Sequence, residues 1–277
     1  MTSDVISGLE RRFGDGAGDS VCRDAVERLA AMILRGSCRS FAPDPVEPDL
    51  VTALCAAALS APTKSDLQQR DIIVIDDVAI RRDLDRLLHT DPWVPGAPQL
   101  LIICGNNRRQ RALHALRGHA FANDHLDAFF NAAVDAAIAL SALVTAAEAV
   151  GLGCCPISAI RNHAADVGRL LRLPDHVFPV AGLALGYPAD PAPTVSVRLP
   201  LAMTVHRNAY REGDLPQDIA AYDDRRADLQ PYARQRHGDR FGEVGSYGWS
   251  EDKARQYSLP ERTAFGQFVR DKGFKLD

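Results

Sequence analysis

Apolar positions recur along the chain with two periods, and these set the expected elements. Between residues 21 and 36, Cys22, Val26, Leu29, Ala30 and Ile33 fall at three- and four-residue spacings, one face of a helix. That pattern puts the N-cap at Asp19 or Ser20 and the stop at Gly36. EPDLVTALCAAALS, residues 47–60, predicts a second helix. Its Pro48 sits in the first turn, where a missing N–H costs nothing. The β-branched run Ile72–Ile75 predicts a strand, residues 78–89 a surface helix, and the unbroken apolar run Leu100–Cys104 a second strand. Residues 124–150 predict one long helix rich in alanine, with Gly151-Leu152-Gly153 as its end. An extended piece over Cys154–Ser158, a short helix over 162–171 and a strand over 177–185 follow. Beyond Tyr210 the chain turns charged and aromatic. Helices are expected there over 215–236 and 260–272, and RQRHGDRFGEVGSY, residues 234–247, reads as a mobile loop. The first 20 residues end in a glycine-rich breaker run and read as a flexible leader. Helices outnumber strands, and strands apolar at every position need cover on both sides. The expectation is an α+β layered fold around a covered sheet.

Composition narrows the function classes. The chain has 277 residues, 46% hydrophobic and 25% charged, with a net charge of −4. This is a globular composition with enough chain for a sizeable core. No basic stripe with interleaved aromatics appears, so no nucleic-acid partner is expected. In the 124–150 stretch Asn131, Asp135, Ser141, Thr145 and Glu148 argue for a buried helix over a membrane span. The start, MTSDVISGLERRF, has no long apolar core and is not expected to act as a signal peptide. Six cysteines without a CxxC pair fit a reducing cytoplasm. The vicinal Cys154-Cys155 is either redox-active or, as favoured here, two small buried residues beside a strand. His114, His119 and His125 are spaced five and six apart and do not stack on one helical face, so no metal site is expected.

Three polar segments carry the candidate chemistry. Arg35-Gly36-Ser37-Cys38-Arg39-Ser40-Phe41 follows directly on a helix end. Its two arginines and serine suit a phosphate, and Gly36 permits close backbone approach. Arginines at a helix C-terminus are equally explained by the dipole. SAPTKSDLQ, residues 60–68, offers Thr63, Lys64 and Ser65 to the edge of a heteroaromatic ring; helix termination and capping is the plainer reading of that loop alone. Arg198-Leu199-Pro200-Leu201 and Val205-His206-Arg207-Asn208 form the third.

Taken in order, these segments resemble the nitroreductase superfamily. The matching stretches are RGSCRSF (35–41), TKSDLQ (63–68), DAAIALSALVTAAEAVGLG (135–153), PISAIRN (156–162), GLALGYP (182–188), RLPL (198–201) and VHRNAY (205–210). They cover residues 21–210 as an FMN-binding domain, with 211–277 as a helical extension similar to that of the larger, flavin-reductase-like branch. The resemblance implies an intertwined homodimer with a central mixed sheet covered by helices. It implies FMN as cofactor, with NADPH or NADH as electron donor. It places Arg35, Gly36 and Ser37 at the phosphate and ribityl end, joined by Arg198. Arg39 goes to the pyrimidine side, where it stabilises charge at N1 and O2. Thr63 and Ser65 go to the flavin edge, and Pro156, Ile157, Ser158 and Ala159 lie against the ring. No dedicated side-chain nucleophile is expected.

The chain departs from the pattern in four places. Ser158 and Ala159 stand where relatives often carry glycines, and Ser196 replaces a lysine two residues before the R-L-P arginine. Lys64 is the candidate substitute for that cation. Asp91 aligns near a ring-contacting glutamine. Arg234, Arg236 and Arg240 are candidates for nucleotide phosphate, without a matching motif. The expected reaction is ping-pong hydride transfer from NAD(P)H to a nitroaromatic, quinone or flavin acceptor. The alternatives are a flavin reductase supplying a monooxygenase and a flavin-binding protein without a reductase cycle.

Overall fold

A computed structural model describes residues 2–14, 16–18, 21–189 and 194–277. The described elements run α1 (Thr2–Phe13), α2 (Arg23–Arg28), α3 (Ala30–Ile33), α4 (Pro48–Leu59), β1 (Arg70–Ile75), α5 (Val78–Leu87), β2 (Gln99–Asn106), α6 (Arg108–Arg117) and α7 (Leu126–Ala149). Then come β3 (Gly153–Ile157), α8 (Ala164–Leu170), β4 (Val177–Gly186), α9 (Leu201–Thr204), α10 (Leu215–Leu229), α11 (Gly238–Phe241), α12 (Trp249–Tyr257) and α13 (Phe265–Asp271). Single 3-10 turns cover Lys64–Asp66, Val94–Gly96 and Ser158–His163. Two compact units result: Met1–Gly36 with Thr194–Glu261, and Ser37–Pro193 with Arg262–Asp277.

The sheet belongs to the second unit, in the order β1-β2-β4-β3. Side chains alternate across a strand. Leu101 and Ile103 therefore join Leu183, Leu185 and Cys154 under α4 and α7, while Leu100, Ile102 and Cys104 join Ala184 and Ile157 under α5 and α8. Burial on both faces explains why Leu100–Cys104 is apolar at every position. All described pairs are antiparallel, which corrects the expectation of a mixed sheet. β2 and β3 do run the same way, joined across α7, but β4 lies between them and no parallel pair forms. Pro179 sits in central strand β4 where the register slips between Ile103 and Cys104. A bulge is where a missing ladder N–H does least harm.

α7 is long and apolar enough to cross a membrane by length and composition. Here it is the helix packed across the sheet, with Ala132, Ala136, Ala139, Leu143 and Ala147 fully buried. Small side chains let the backbone of α7 approach the strands closely. Gly151, at φ 83, takes the left-handed conformation that ends the helix. Cys154 and Cys155 are both buried in β3.

In the first unit, residues 2–13 differ from the expected leader: they form α1. Val5 and Leu9 are buried against Val26, a four-residue repeat that fixes the helix on α2 and α3. The glycine run begins where α1 stops, at Gly14 with φ 108, so it ends a helix rather than marking everything before it as loose. The expected N-cap at Asp19 or Ser20 lies outside the described residues. The helix expected up to Gly36 is broken at Leu29 (φ −94, ψ 1) into α2 and α3. Residues 234–247, expected to be mobile, contain α11 and are fastened to α12. Buried Asp252 accepts from Arg236 Nε at 3.0 Å and Tyr247 Oη at 2.9 Å. Arg255, also buried, donates to the Arg236 and Gly242 carbonyls.

Candidate functional site

In the second unit the segment Ser37–Ala42 is laid along the far end of the sheet. The Cys38 N–H donates to the Cys154 carbonyl at 3.0 Å, Ala42 N–H to Tyr187 at 2.8 Å, and Ala189 N–H to Ser40 at 3.1 Å. Gly153 has no room for a side chain, since a Cβ there would lie 2.6 Å from Cys38. Phe41 bridges Pro188, and Pro156 and Ile157 pair with Leu183 and Gly182, so three motifs far apart in sequence, RGSCRSF, GLALGYP and PISAIRN, meet in the sheet. Arg39 is exposed there, and its guanidinium lies 5.7 Å from the Trp93 ring centroid. That cation–π contact orients the charge.

The four residues expected against a flavin ring divide by exposure. Pro156 and Ser158 are exposed and Ala159 is half-buried. The Ile157 side chain turns into the core at 2% exposure, so only its backbone is available. Arg262 reaches Ser158 Oγ at 3.3 Å from the segment before α13. Sequence reading missed Arg262, which lies in no motif; its left-handed backbone (φ 57) also explains why the last helix starts at Phe265 rather than 260.

The 63–69 loop is organised from below by Asp135 of α7, which is fully buried. Its carboxylate accepts from the Thr63 hydroxyl, from Lys64 N–H at 3.1 Å and from Gln69 N–H at 2.9 Å. Thr63 Oγ1 in turn accepts from Gln68 N–H at 2.9 Å. Arg70, 3.8 Å from Asp135, donates to the Leu59 and Ala61 carbonyls. Within this frame Ser65, Asp66 and Gln68 all have positive φ. Non-glycine residues in that region cost on the order of 1 kcal/mol each and persist where surroundings over-determine them. The Thr63 hydroxyl is thus committed to holding the loop, while Ser65 is presented outward. Lys64 is drawn to Asp127 at 3.3 Å. Asn131 and then Lys64 hold the Asp127 carboxyl below its ordinary range.

The first unit carries Arg35, Gly36 and Arg198. Gly36 is buried, Arg35 half-buried and Arg198 exposed. Arg12 of α1 donates to the Ile33 carbonyl at 2.9 Å and to the Arg35 carbonyl, and its own carbonyl accepts from Arg198 N–H at 2.6 Å. Of the arginines considered for a nucleotide phosphate, Arg236 is engaged by Asp252, and Arg240 lies 5.4 Å from the Phe241 ring.

The chemistry of these segments is that of donors. Arg35, Arg39 and Arg198 offer guanidinium forks, and Ser37, Ser65 and Ser158 offer hydroxyls. Within each unit such donors suit acceptor-rich groups: a phosphate for the guanidinium forks of the first, a phosphate or the edge of a heteroaromatic ring for the arginine and hydroxyls of the second.

Residues 34–187 match the Nitroreductase family, and residues 196–277 match the Nitroreductase family, C-terminal domain. The chain belongs to the nitroreductase family. It is 31% identical over 244 residues to the FMN reductase [NAD(P)H] of Bacillus subtilis strain 168, covering 87% of this chain and 95% of that protein. It is 37% identical over 194 residues to the oxygen-insensitive NADPH nitroreductase of Salmonella typhimurium, covering 69% of this chain and 78% of that one. Among solved structures, the hypothetical oxidoreductase YcnD from Bacillus subtilis superposes with a TM-score of 0.80 at 30% identity, covering 91% of this chain and 99% of that one.

Proposed function

We propose that this nitroreductase-family enzyme is an FMN-dependent NAD(P)H oxidoreductase that passes electrons to flat aromatic acceptors. The observation carrying the reading is the meeting of RGSCRSF with GLALGYP at the Phe41–Pro188 bridge, and of GLALGYP with PISAIRN at the Pro156–Leu183 and Ile157–Gly182 pairs. Bound FMN supplies the two-electron hydride chemistry, from a nicotinamide to a nitroaromatic, quinone or flavin acceptor in two separate half-reactions.

The residues contribute binding and electrostatics. Arg35, Ser37 and Arg198 hold the phosphate and ribityl end. Arg39 places positive charge at the pyrimidine edge, where N1 and O2 gain negative charge, and Trp93 keeps that guanidinium in place. Ser65 lies at the ring edge on the loop that Asp135 holds. Pro156, Ser158 and the Ile157 backbone form a wall against the ring, with Arg262 beside Ser158.

Preorganised charge of this kind contributes about 3 kcal/mol. Arg39→Ala is therefore expected to slow flavin reduction on the order of 100-fold while weakening FMN binding much less. Anaerobic stopped-flow reduction by NADH and by NADPH measures this; the opposite pattern moves Arg39 to the phosphate. Turnover with nitrofurazone against free flavin separates a general reductase from one that supplies reduced flavin. A bound flavin that neither nucleotide bleaches would leave a binding protein.

The enzyme is read as a cytoplasmic homodimer. Leu126, Phe130 and Val134 repeat every four residues along α7 and are 49%, 60% and 37% exposed. That stripe is the face assigned to the second copy, and sedimentation equilibrium tests it.

A further inference from the structure

Helix α1 lies outside every segment on which the flavin reading rests, yet its last turn is built around the arginines assigned to the phosphate. Arg12 is 6% exposed. Its guanidinium donates to the carbonyls of Ile33, at 2.9 Å, and of Arg35, where the chain leaves α3. Its own carbonyl accepts the Arg198 N–H at 2.6 Å. One residue thus holds the backbone of both Arg35 and Arg198. Arg225 of α10 reinforces the arrangement: its Nη2 donates to the Glu10 and Arg11 carbonyls at 3.1 and 2.6 Å, and its Nη1 to the Arg198 carbonyl at 3.3 Å. The last carbonyls of a helix have no partner inside it. Here the Arg198 backbone and the Arg225 side chain supply partners. α1 itself is fixed by Val5 and Leu9 against Val26, and by Gly8, where a Cβ would fall 2.2 Å from Leu34 Cδ2.

We infer that Arg12 is a positioning residue for phosphate recognition: it fixes the backbone of Arg35 and Arg198 so that their guanidinium groups select the monophosphate of FMN over the same ring without it. The inference rests on the FMN reading above. A planar guanidinium can bind two carbonyls at once, and an ammonium on a flexible stem replaces that fork poorly.

The test titrates apoprotein with FMN and with riboflavin, which keeps the ring and lacks the phosphate, in the wild type and in Arg35→Ala, Arg12→Ala and Arg12→Lys variants. The wild type is expected to prefer FMN, and Arg35→Ala to lose most of that preference. Arg12→Ala should weaken FMN binding tenfold or more and leave riboflavin binding within twofold, with Arg12→Lys between. A merely structural Arg12 weakens both ligands alike or neither, and that result overturns the inference. If Arg12→Ala does not fold, the FMN-to-riboflavin ratio of Arg12→Lys decides. If Arg35→Ala keeps the wild-type ratio, the phosphate assignment itself is wrong and the inference falls with it. If Arg35→Ala loses the ratio while Arg12 variants keep it, only the inference falls.

Discussion

Each compact unit fastens one stretch of backbone with a buried charged side chain, and the two do so with opposite chemistry. In the unit containing the sheet, Asp135 is an acceptor that gathers the Thr63 hydroxyl and the amides of Lys64 and Gln69, with Arg70 3.8 Å away. In the other, Arg12 is a donor that gathers the carbonyls of Ile33 and Arg35. Amides left without an acceptor in a dry interior are costly, whereas a carbonyl at a helix end can turn to water. The difference says which fastening is structural first. Asp135 sits at 0% exposure in the middle of the largest helix, beneath three left-handed residues. Arg12 lies at the end of a short helix, where losing it loosens a local turn.

The largest expected effect follows from that contrast. Asp135→Ala strands Arg70, whose side chain is 4% exposed, together with two amides and a hydroxyl. Breaking a buried pair on one side costs about 3–5 kcal/mol, and urea unfolding of the apoprotein is expected to register a loss of that size. Arg12→Ala should cost less, about 1–3 kcal/mol. Equal losses, or a larger one at Arg12, would break the comparison.

A carboxylate nearer the surface sharpens it. Asp124 accepts from Arg111 and pairs with Lys275 at 2.8 Å. The hydrogen bond from Arg111, opposed by burial and aided by Lys275, lowers its pKa to about 2. A carboxyl depressed in the folded state adds stability that is full above the unfolded value near 3.8 and is lost as pH falls through the folded value. Stability of the wild type should therefore fall between about pH 4 and pH 2 by an increment that Asp124→Asn lacks. Denaturant midpoints at pH 5, 4, 3 and 2.5 measure it; parallel profiles for the two proteins would assign the acid loss to other carboxyls.

These two fastenings were unequally legible in the sequence, for physical reasons. Asp135 stands in a motif, and the helix around it is a long apolar run whose boundaries, 124–150 expected against Leu126–Ala149 found, leave little choice. The strands Leu100–Cys104 and 177–185 were readable because burial on both faces makes them apolar throughout, and Ile72–Ile75 because its half-buried side chains pack on both faces at the sheet edge. Arg12 was hidden because α1 buries just two large apolar side chains, Val5 and Leu9, before a run of glycines. Strand pairing was not readable either. That β4 separates β2 from β3 depends on long-range contacts, and no local period encodes it. Arg262 could not be found from spacing, since it reaches Ser158 across 104 positions of chain.

The smallest effect concerns Lys64, which the sequence offered as a substitute for the cation absent at Ser196. Its ammonium lies 3.3 Å from Asp127, with the two side chains 49% and 44% exposed. A pair so exposed is worth about 0–1 kcal/mol, and it holds the lysine toward the first turn of α7. What the Asp135 loop offers a ligand is then its backbone and Ser65, not the charge at position 64. Lys64→Ala should change FMN affinity by no more than about fivefold, the equivalent of that pair energy. A loss of tenfold or more would restore Lys64 as the substitute cation. It would also mean that the loop beneath which Asp135 sits contributes charge as well as shape.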